Sequence, residues 1–155
     1  MQDKGTKVVA ENRKAYHEYF IEERMEAGIE LSGTEVKSIR GGKVNLGDSY
    51  CSVLDGQLWL IGCHVSPYEQ GNRFNRDPVR TRRLLMHKSE IMRLYGLVKQ
   101  KGLTLVPTKM YFKAGRVKVE VGVGKGKKLH DKREAEAERS AEREIDRRMK
   151  GNRDD

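Results

Sequence analysis

Apolar and polar positions alternate most clearly in RVKVEVGV, where Val117, Val119, Val121 and Val123 are interleaved with Arg116, Lys118 and Glu120. A period of two puts the valines on one face and the charges on the other, as in a strand laid over a core. The run LTLVPTKMYFK precedes it, and Ala114-Gly115 supplies the turn of a hairpin; Pro107 marks an edge or a bulge. The same period links Tyr19, Ile21, Met25, Ala27, Ile29 and Leu31, predicting a long strand after one helical turn at Asn12–Tyr16. Tyr50–Leu54 and Leu58–Val65 flank the tight-turn pair Asp55-Gly56, predicting a second hairpin. There Cys63 shares the phase of Trp59 and Ile61, which places it in the core and turns His64 to the other face. Val36 and Ile39 lie three apart, with Thr34 set to cap, Glu35 in the first turn, Arg40 in the last and Gly41-Gly42 as a stop. That is a short helix. SEIMRLYGLVKQKG is a second, with Ser89 as cap, a face of Ile91, Leu94, Tyr95 and Val98, and Gly102 as its end.

The remaining stretches are less regular. Residues 1–11 read as a loose N-terminus, and residues 69–85, rich in Arg, Asn, Gly and Pro, as a long loop. The sum is a mainly β chain of five or six mostly antiparallel strands with two or three helices. Such a sheet curls and closes, so the expected architecture is a small closed antiparallel β-barrel with external helices. The barrel domain spans residues 12–124, and residues 125–155 form a charged tail. No repeat of 20–50 residues breaks this plan.

Charge sharpens the picture. Lys and Arg total 32 against 23 Asp and Glu among 155 residues, a net of +9. Residues 125–155 hold 11 and 9 of these, leaving 21 and 14, or +7, on the folded part. A positive field of this kind draws polyanions, nucleic acid before anionic membrane. No run of about 18 apolar residues predicts a membrane span. The N-terminal residues have no apolar core of a secretory signal, and two cysteines make no disulfide framework. A reduced, cytoplasmic setting is expected.

Enzyme chemistry finds no anchor. GVGKGKKL lacks the spacing and the Ser or Thr of a phosphate loop. Its glycines follow a hairpin strand and open no apolar helix, unlike a dinucleotide fingerprint. Cys51, Cys63 and His64 lack the spacing of a metal site, and the four histidines are scattered with no Ser/His/Asp set. No cofactor is expected. Basic groups recur instead at element ends: Arg13-Lys14; Lys37, Arg40 and Lys43; Arg73, Arg76, Arg80, Arg82, Arg83 and Lys88; Lys109, Lys113, Arg116 and Lys118. Tyr16, His17, Tyr68, Phe74 and His87 are interleaved with them, with Phe74 best placed to stack on an unpaired base. A general single-stranded nucleic-acid-binding barrel and a constitutive ribosomal protein both fit this much.

Three long blocks go further. NRKAYHEYFIEERMEAGIELSGTEVKSIRGGKVNLGDSY, SPYEQGNRFNRDPVRTRRLLMHKSEI and KGLTLVPTKMYFKAGRVKVEVGVGKGKKLHDKRE, in that order, resemble the SsrA-binding protein (small protein B) family over residues 11–150. The resemblance implies a six-stranded barrel of oligonucleotide-binding type. It implies binding to the tRNA-like part of transfer-messenger RNA and delivery of that RNA to stalled ribosomes for trans-translation. It implies a monomeric, non-enzymatic protein that meets an elongation factor only through the charged RNA. Carried over by resemblance, the RNA-binding residues are Arg13, Lys14, His17, Glu26, Lys37, Arg40, Asn45, Leu85, His87 and Lys118. The cations would hold phosphates, and His17, His87 and Asn45 would read ribose or base edges. Glu26 would accept from a base amino group or orient an arginine, and Leu85 would pack on a base or brace the core.

GKGKKLHDKREAEAERSAEREIDRRMK is left. Gly124 and Gly126 permit positive φ and read as a flexible elbow. Beyond them Ala137, Ala141, Ile145 and Met149 form one thin helical stripe, too narrow to offset backbone ordering. The tail is expected to be disordered when free and helical in a negatively charged groove. The resemblance supplies the groove, namely the small-subunit decoding site and empty mRNA channel. It places Lys127, Lys128, His130, Asp131, Lys132 and Arg133 there, with Ile145 and Met149 gripping at the far end.

Overall fold

Turn chemistry sets the connectivity. Asp55 and Gly56 have φ of 52° and 73°, and Ala114 and Gly115 have 50° and 76°. Both pairs match the twist of their flanking strands and close two-residue hairpins. The computed structural model describes residues 5–68 and 75–128, together with Lys132, Arg133, Ala137, Ser140, Ala141 and Arg143 of the tail. In chain order the elements are β1 (Lys7–Glu11), α1 (Arg13–Glu18), β2 (Tyr19–Ile29), α2 (Gly33–Arg40), β3 (Val44–Asn45), β4 (Tyr50–Leu54), β5 (Gln57–Ile61), β6 (His64–Val65), β7 (Arg82–Leu85), α3 (Lys88–Lys101), β8 (Thr104–Lys113) and β9 (Arg116–Gly126).

The protein is mainly β with three helices. Strands β8, β4, β5, β7, β2 and β9 are hydrogen-bonded in that order, and β9 returns to β8, so six antiparallel strands form a ring. β1 adds to β8 outside the ring, and β3 pairs with β6 as a separate ribbon. Inside the ring sit Leu58, Leu60, Leu84, Met110, Val119 and Val121, each under 2% exposed. Ala27 and all four alternating valines of β9 join this core. The register slips between Pro107 and Lys109, the bulge that the proline marks. Among the described residues no helix is long and apolar enough to cross a membrane.

Several local expectations are corrected. Lys7–Glu11 is not loose: it pairs with Lys109–Phe112 of β8. Ser32, not Thr34, caps α2, exchanging bonds with Glu35 in a capping box. α3 starts after His87 rather than at a Ser89 cap, and Tyr95 is 40% exposed while Ile91 and Leu94 are buried. Cys63 is buried, but for another reason than its phase with Trp59 and Ile61. Leu58 and Leu60 point inward from β5, and Gly62, at φ 81°, inverts the phase so that Cys63 and Val65 do so next.

The largest departure lies in the stretch read as an arginine-rich loop. Its last four residues are β7, and Arg82 is wholly buried. Arg82 Nε donates to Glu35 Oε2 at 2.8 Å, and its two Nη atoms donate to the carbonyls of Cys63, Arg80 and Pro78 at 2.8–3.1 Å. Arg80 closes on the same carboxylate at 2.6 and 3.0 Å. Burial pushes the Glu35 carboxyl upward. Hydrogen bonds from Arg80, the Ser32 backbone and Arg82 outweigh it and hold that carboxyl down at about 2. These two arginines fasten the chain after β6 to α2; Arg82 is wholly buried, while Arg80 stays partly exposed.

Candidate nucleic-acid interface

The residues carried over by resemblance fall in three places. The first is the outer face of the ring. Gly28 of β2 pairs with Leu85 on one side and Lys118 on the other, and Glu26 lies two residues along the same face. Leu85 is 42% exposed and covers Gly28: a Cβ built on that glycine would come within 3.3 Å of the leucine Cβ. Leu85 thus sits on the outer face and is not among the buried core residues. The Tyr111 hydroxyl donates to Glu26 Oε2, and Lys113 Nζ reaches the same oxygen at 3.4 Å. The Tyr111 hydrogen bond, with Lys113 and Lys118 close by, holds the Glu26 carboxyl below the usual carboxylate range against its partial burial. Glu26 is therefore an anion at neutral pH. Its Oε1 accepts from none of the described residues.

The second place is α1, which carries Arg13, Lys14 and His17. Arg13 is exposed and borders a cleft of about 370 Å³ with Tyr16, Arg24 and Lys109. Lys14 is already paired: its ammonium contacts Asp48, which raises its pKa. Asn12 caps the helix and also donates to the Pro107 carbonyl at 2.9 Å, which fixes α1 against β8. The third place is α2 and the small ribbon. Lys37 lies 5.4 Å from the Tyr68 ring centre and Arg40 5.1 Å from that of Phe112. Asn45 Oδ1 accepts from the Gly47 backbone at 2.8 Å, so this exposed side chain shapes a turn. His87 is exposed at the head of α3, two residues beyond Leu85, and makes no side-chain cap bond.

The tail begins differently from a flexible elbow. Gly124 and Gly126 lie within β9, facing Ile21 and Tyr19, and neither has positive φ. Lys127 and Lys128 follow directly, and Lys132 N–H donates to the Lys128 carbonyl at 3.2 Å. The six described residues from Lys132 to Arg143 have helical backbone, and Ala137 and Ala141 of the stripe are exposed. Phe74, His130, Asp131, Ile145 and Met149 lie outside the described residues.

Tyr111, Arg24 and Phe20 were not singled out by the sequence. Tyr111 meets Glu26 across 85 residues, so no local pattern announces the pair. Among the described residues no cluster of His, Cys, Asp and Glu is placed to hold a metal. Cys51 and Cys63 are buried free thiols; burial pushes both up, Cys63 to about 11, so neither is a nucleophile.

Comparison with known proteins agrees with the resemblance. The SsrA-binding protein of Acetivibrio thermocellus is 61% identical over 152 residues, covering 98% of this chain and 99% of the relative. That of Caldicellulosiruptor saccharolyticus is 64% identical over 144 residues, covering 93% and 91%. A solved structure described as "tmRNA-SmpB: a journey to the center of the bacterial ribosome" holds a chain 53% identical to this one. It covers 77% of this chain and 85% of that one at a TM-score of 0.65. The profile of the SmpB protein family matches residues 9–151, and with identity of this extent the chain belongs to the SmpB protein family.

Proposed function

We propose that this chain binds the tRNA-like part of transfer-messenger RNA and delivers it to stalled ribosomes for trans-translation. In this reading the ring of strands acts as a barrel of oligonucleotide-binding type, present as a monomer in the cytoplasm, and an elongation factor is met only through the charged RNA. The observation that carries it is the outer face on which Gly28 draws Glu26, Leu85 and Lys118 together. An ionised acceptor, an exposed apolar side chain and a cation side by side suit a folded RNA with bases turned outward. Arg13, His17, Lys37, Arg40 and His87 add phosphate and ribose contacts around it, while Lys14 acts together with Asp48. The tail then enters the decoding site and the empty mRNA channel. Its described helical residues expose Ala137 and Ala141, so little packing offsets the backbone ordering and the helix is stable only once it is bound. NMR of the free protein should give sharp, poorly dispersed amide signals after about residue 130; dispersed, exchange-protected signals there would refute free-state disorder.

The test is a salt series with the full chain and a 1–128 truncation, which keeps the last strand and its pairing to Glu18 intact. Both should prefer transfer-messenger RNA over an unstructured RNA of equal length. Their slopes of log K against log salt should agree, at roughly −0.7 to −0.9 per phosphate contact. Affinity that follows RNA length alone identifies a general single-strand binder. Retention on vacant ribosomes without the RNA identifies a constitutive ribosomal protein.

A further inference from the structure

Lys127 is the first residue past β9, yet it is tied down three ways. Its N–H donates to the Glu18 carbonyl at 2.8 Å, continuing the register in which Gly126 faces Tyr19 and Lys125 faces Phe20. Its ammonium turns back and donates to the Tyr16 carbonyl at 3.0 Å. It also lies 4.9 Å from the centre of the Phe20 ring. The Tyr16 carbonyl belongs to the last turn of α1, where carbonyls lack helical partners and the helix dipole favours a cation. Tyr16 is held in turn by Arg24, whose Nε donates to its hydroxyl at 2.9 Å and whose guanidinium lies 5.5 Å from the ring centre. Phe20 and Tyr16 are 48% and 42% exposed. Two large aromatic side chains are thus kept at the surface, each against a cation.

We propose that Lys127 and Phe20 form a clamp that fixes the direction in which the tail leaves the fold, locking it to α1. This rests on the reading of an RNA-gripping core and a ribosome-entering tail. α1 carries Arg13, Lys14 and His17, so the clamp ties the tail's exit to an element of the RNA grip. Lys127 is then a positioning residue rather than a ribosome contact, and the exposed Lys128 follows it. A tail hung from a rigid root samples a narrow cone. One hung from a loose root spreads over a wider volume and reaches its groove at a lower effective concentration.

The experiment compares the full chain with Lys127→Met, Phe20→Leu and Lys127→Arg. Backbone amide order parameters at residues 127 and 128 should match β9 in the parent, at about 0.85, and fall toward 0.6 in the first two variants. Affinity for transfer-messenger RNA should stay within about twofold. Peptide tagging on ribosomes stalled at a truncated message should fall roughly 3- to 10-fold. Lys127→Arg, which can still donate to the Tyr16 carbonyl and stack on Phe20, should restore order and tagging together. Unchanged order in both variants overturns the clamp. Lost order with full tagging overturns its positioning role. Lost tagging with intact order makes Lys127 a direct ribosome contact, and a fall in RNA affinity places it in the grip; either result also overturns the proposal. If the parent chain itself does not support tagging, the functional reading and the positioning role fail together, and the order parameters still decide whether the clamp exists.

Discussion

Replacing Glu35 by Gln is expected to destabilise the fold by about 3–5 kcal/mol at neutral pH, the range for breaking a buried ion pair from one side. Gln preserves the size and one acceptor but removes the charge. Arg82, wholly buried, cannot release its proton. It would keep its three carbonyl acceptors yet hold an unpaired charge in the core. Urea unfolding measures the loss. The exposed pair Arg83–Glu30, 3.6 Å apart, is the control, and Glu30→Gln should cost at most about 1 kcal/mol. The pH dependence has a definite sign. The folded value of Glu35 is about 2 against an ordinary 4.5, so the unfolded chain binds the extra proton first. The stability this carboxylate contributes is complete above about 4.5 and is lost as pH falls through about 2. The gap between parent and variant should narrow by on the order of 3 kcal/mol over that window. A Glu35→Gln protein as stable as the parent at pH 7 would show that the two arginines are satisfied by carbonyls alone.

That network also shows where the sequence stopped being legible. Strands with a clean period of two and turns with Asp-Gly or Ala-Gly were readable, because β2, β9 and the two hairpins are specified by neighbours in the chain. β7 was hidden because one of its two inward residues is Arg82, whose partner Glu35 lies 47 residues away. An arginine in a Pro- and Asn-rich stretch reads as a phosphate ligand until its carboxylate is found. β1 was hidden because five residues of mixed burial have no pattern of their own; they become a strand only against β8. At the proposed RNA site the resemblance named Glu26, Leu85 and Lys118. Only the pairing of β7, β2 and β9 through Gly28 shows that they share one face. Tyr111, which helps fix the charge of Glu26, required a fold rather than a motif.

The glycines at the root of the tail separate two physical readings of one sequence feature, and they give the second large effect. Gly124→Val should destabilise the protein by about 2–3 kcal/mol, the upper part of the range for overpacking. A Cβ at this position would already lie 3.0 Å from the Tyr19 Cβ, 3.1 Å from the Ile21 Cδ1 and 3.2 Å from the Phe20 carbonyl oxygen. The last of these is backbone of β2 and cannot rotate away, so β2 and β9 must part next to α1. Two branches beyond that Cβ make the conflict worse. At Gly126 a Cβ would meet nothing within 4 Å, and φ there is not in the left-handed region. Gly126→Ala should therefore be neutral or stabilise by up to about 1 kcal/mol through the unfolded chain. A flexible elbow predicts the reverse order. It needs Gly126 for its freedom and makes Gly124, also a hinge, no more sensitive than its neighbour. Thermal unfolding of the two variants decides between them. If Gly124→Val melts with the parent while Gly126→Ala is impaired, the root of the tail is a hinge. If Gly124→Val alone is destabilised, these glycines serve close strand approach, and the tail leaves from a fixed point on the fold.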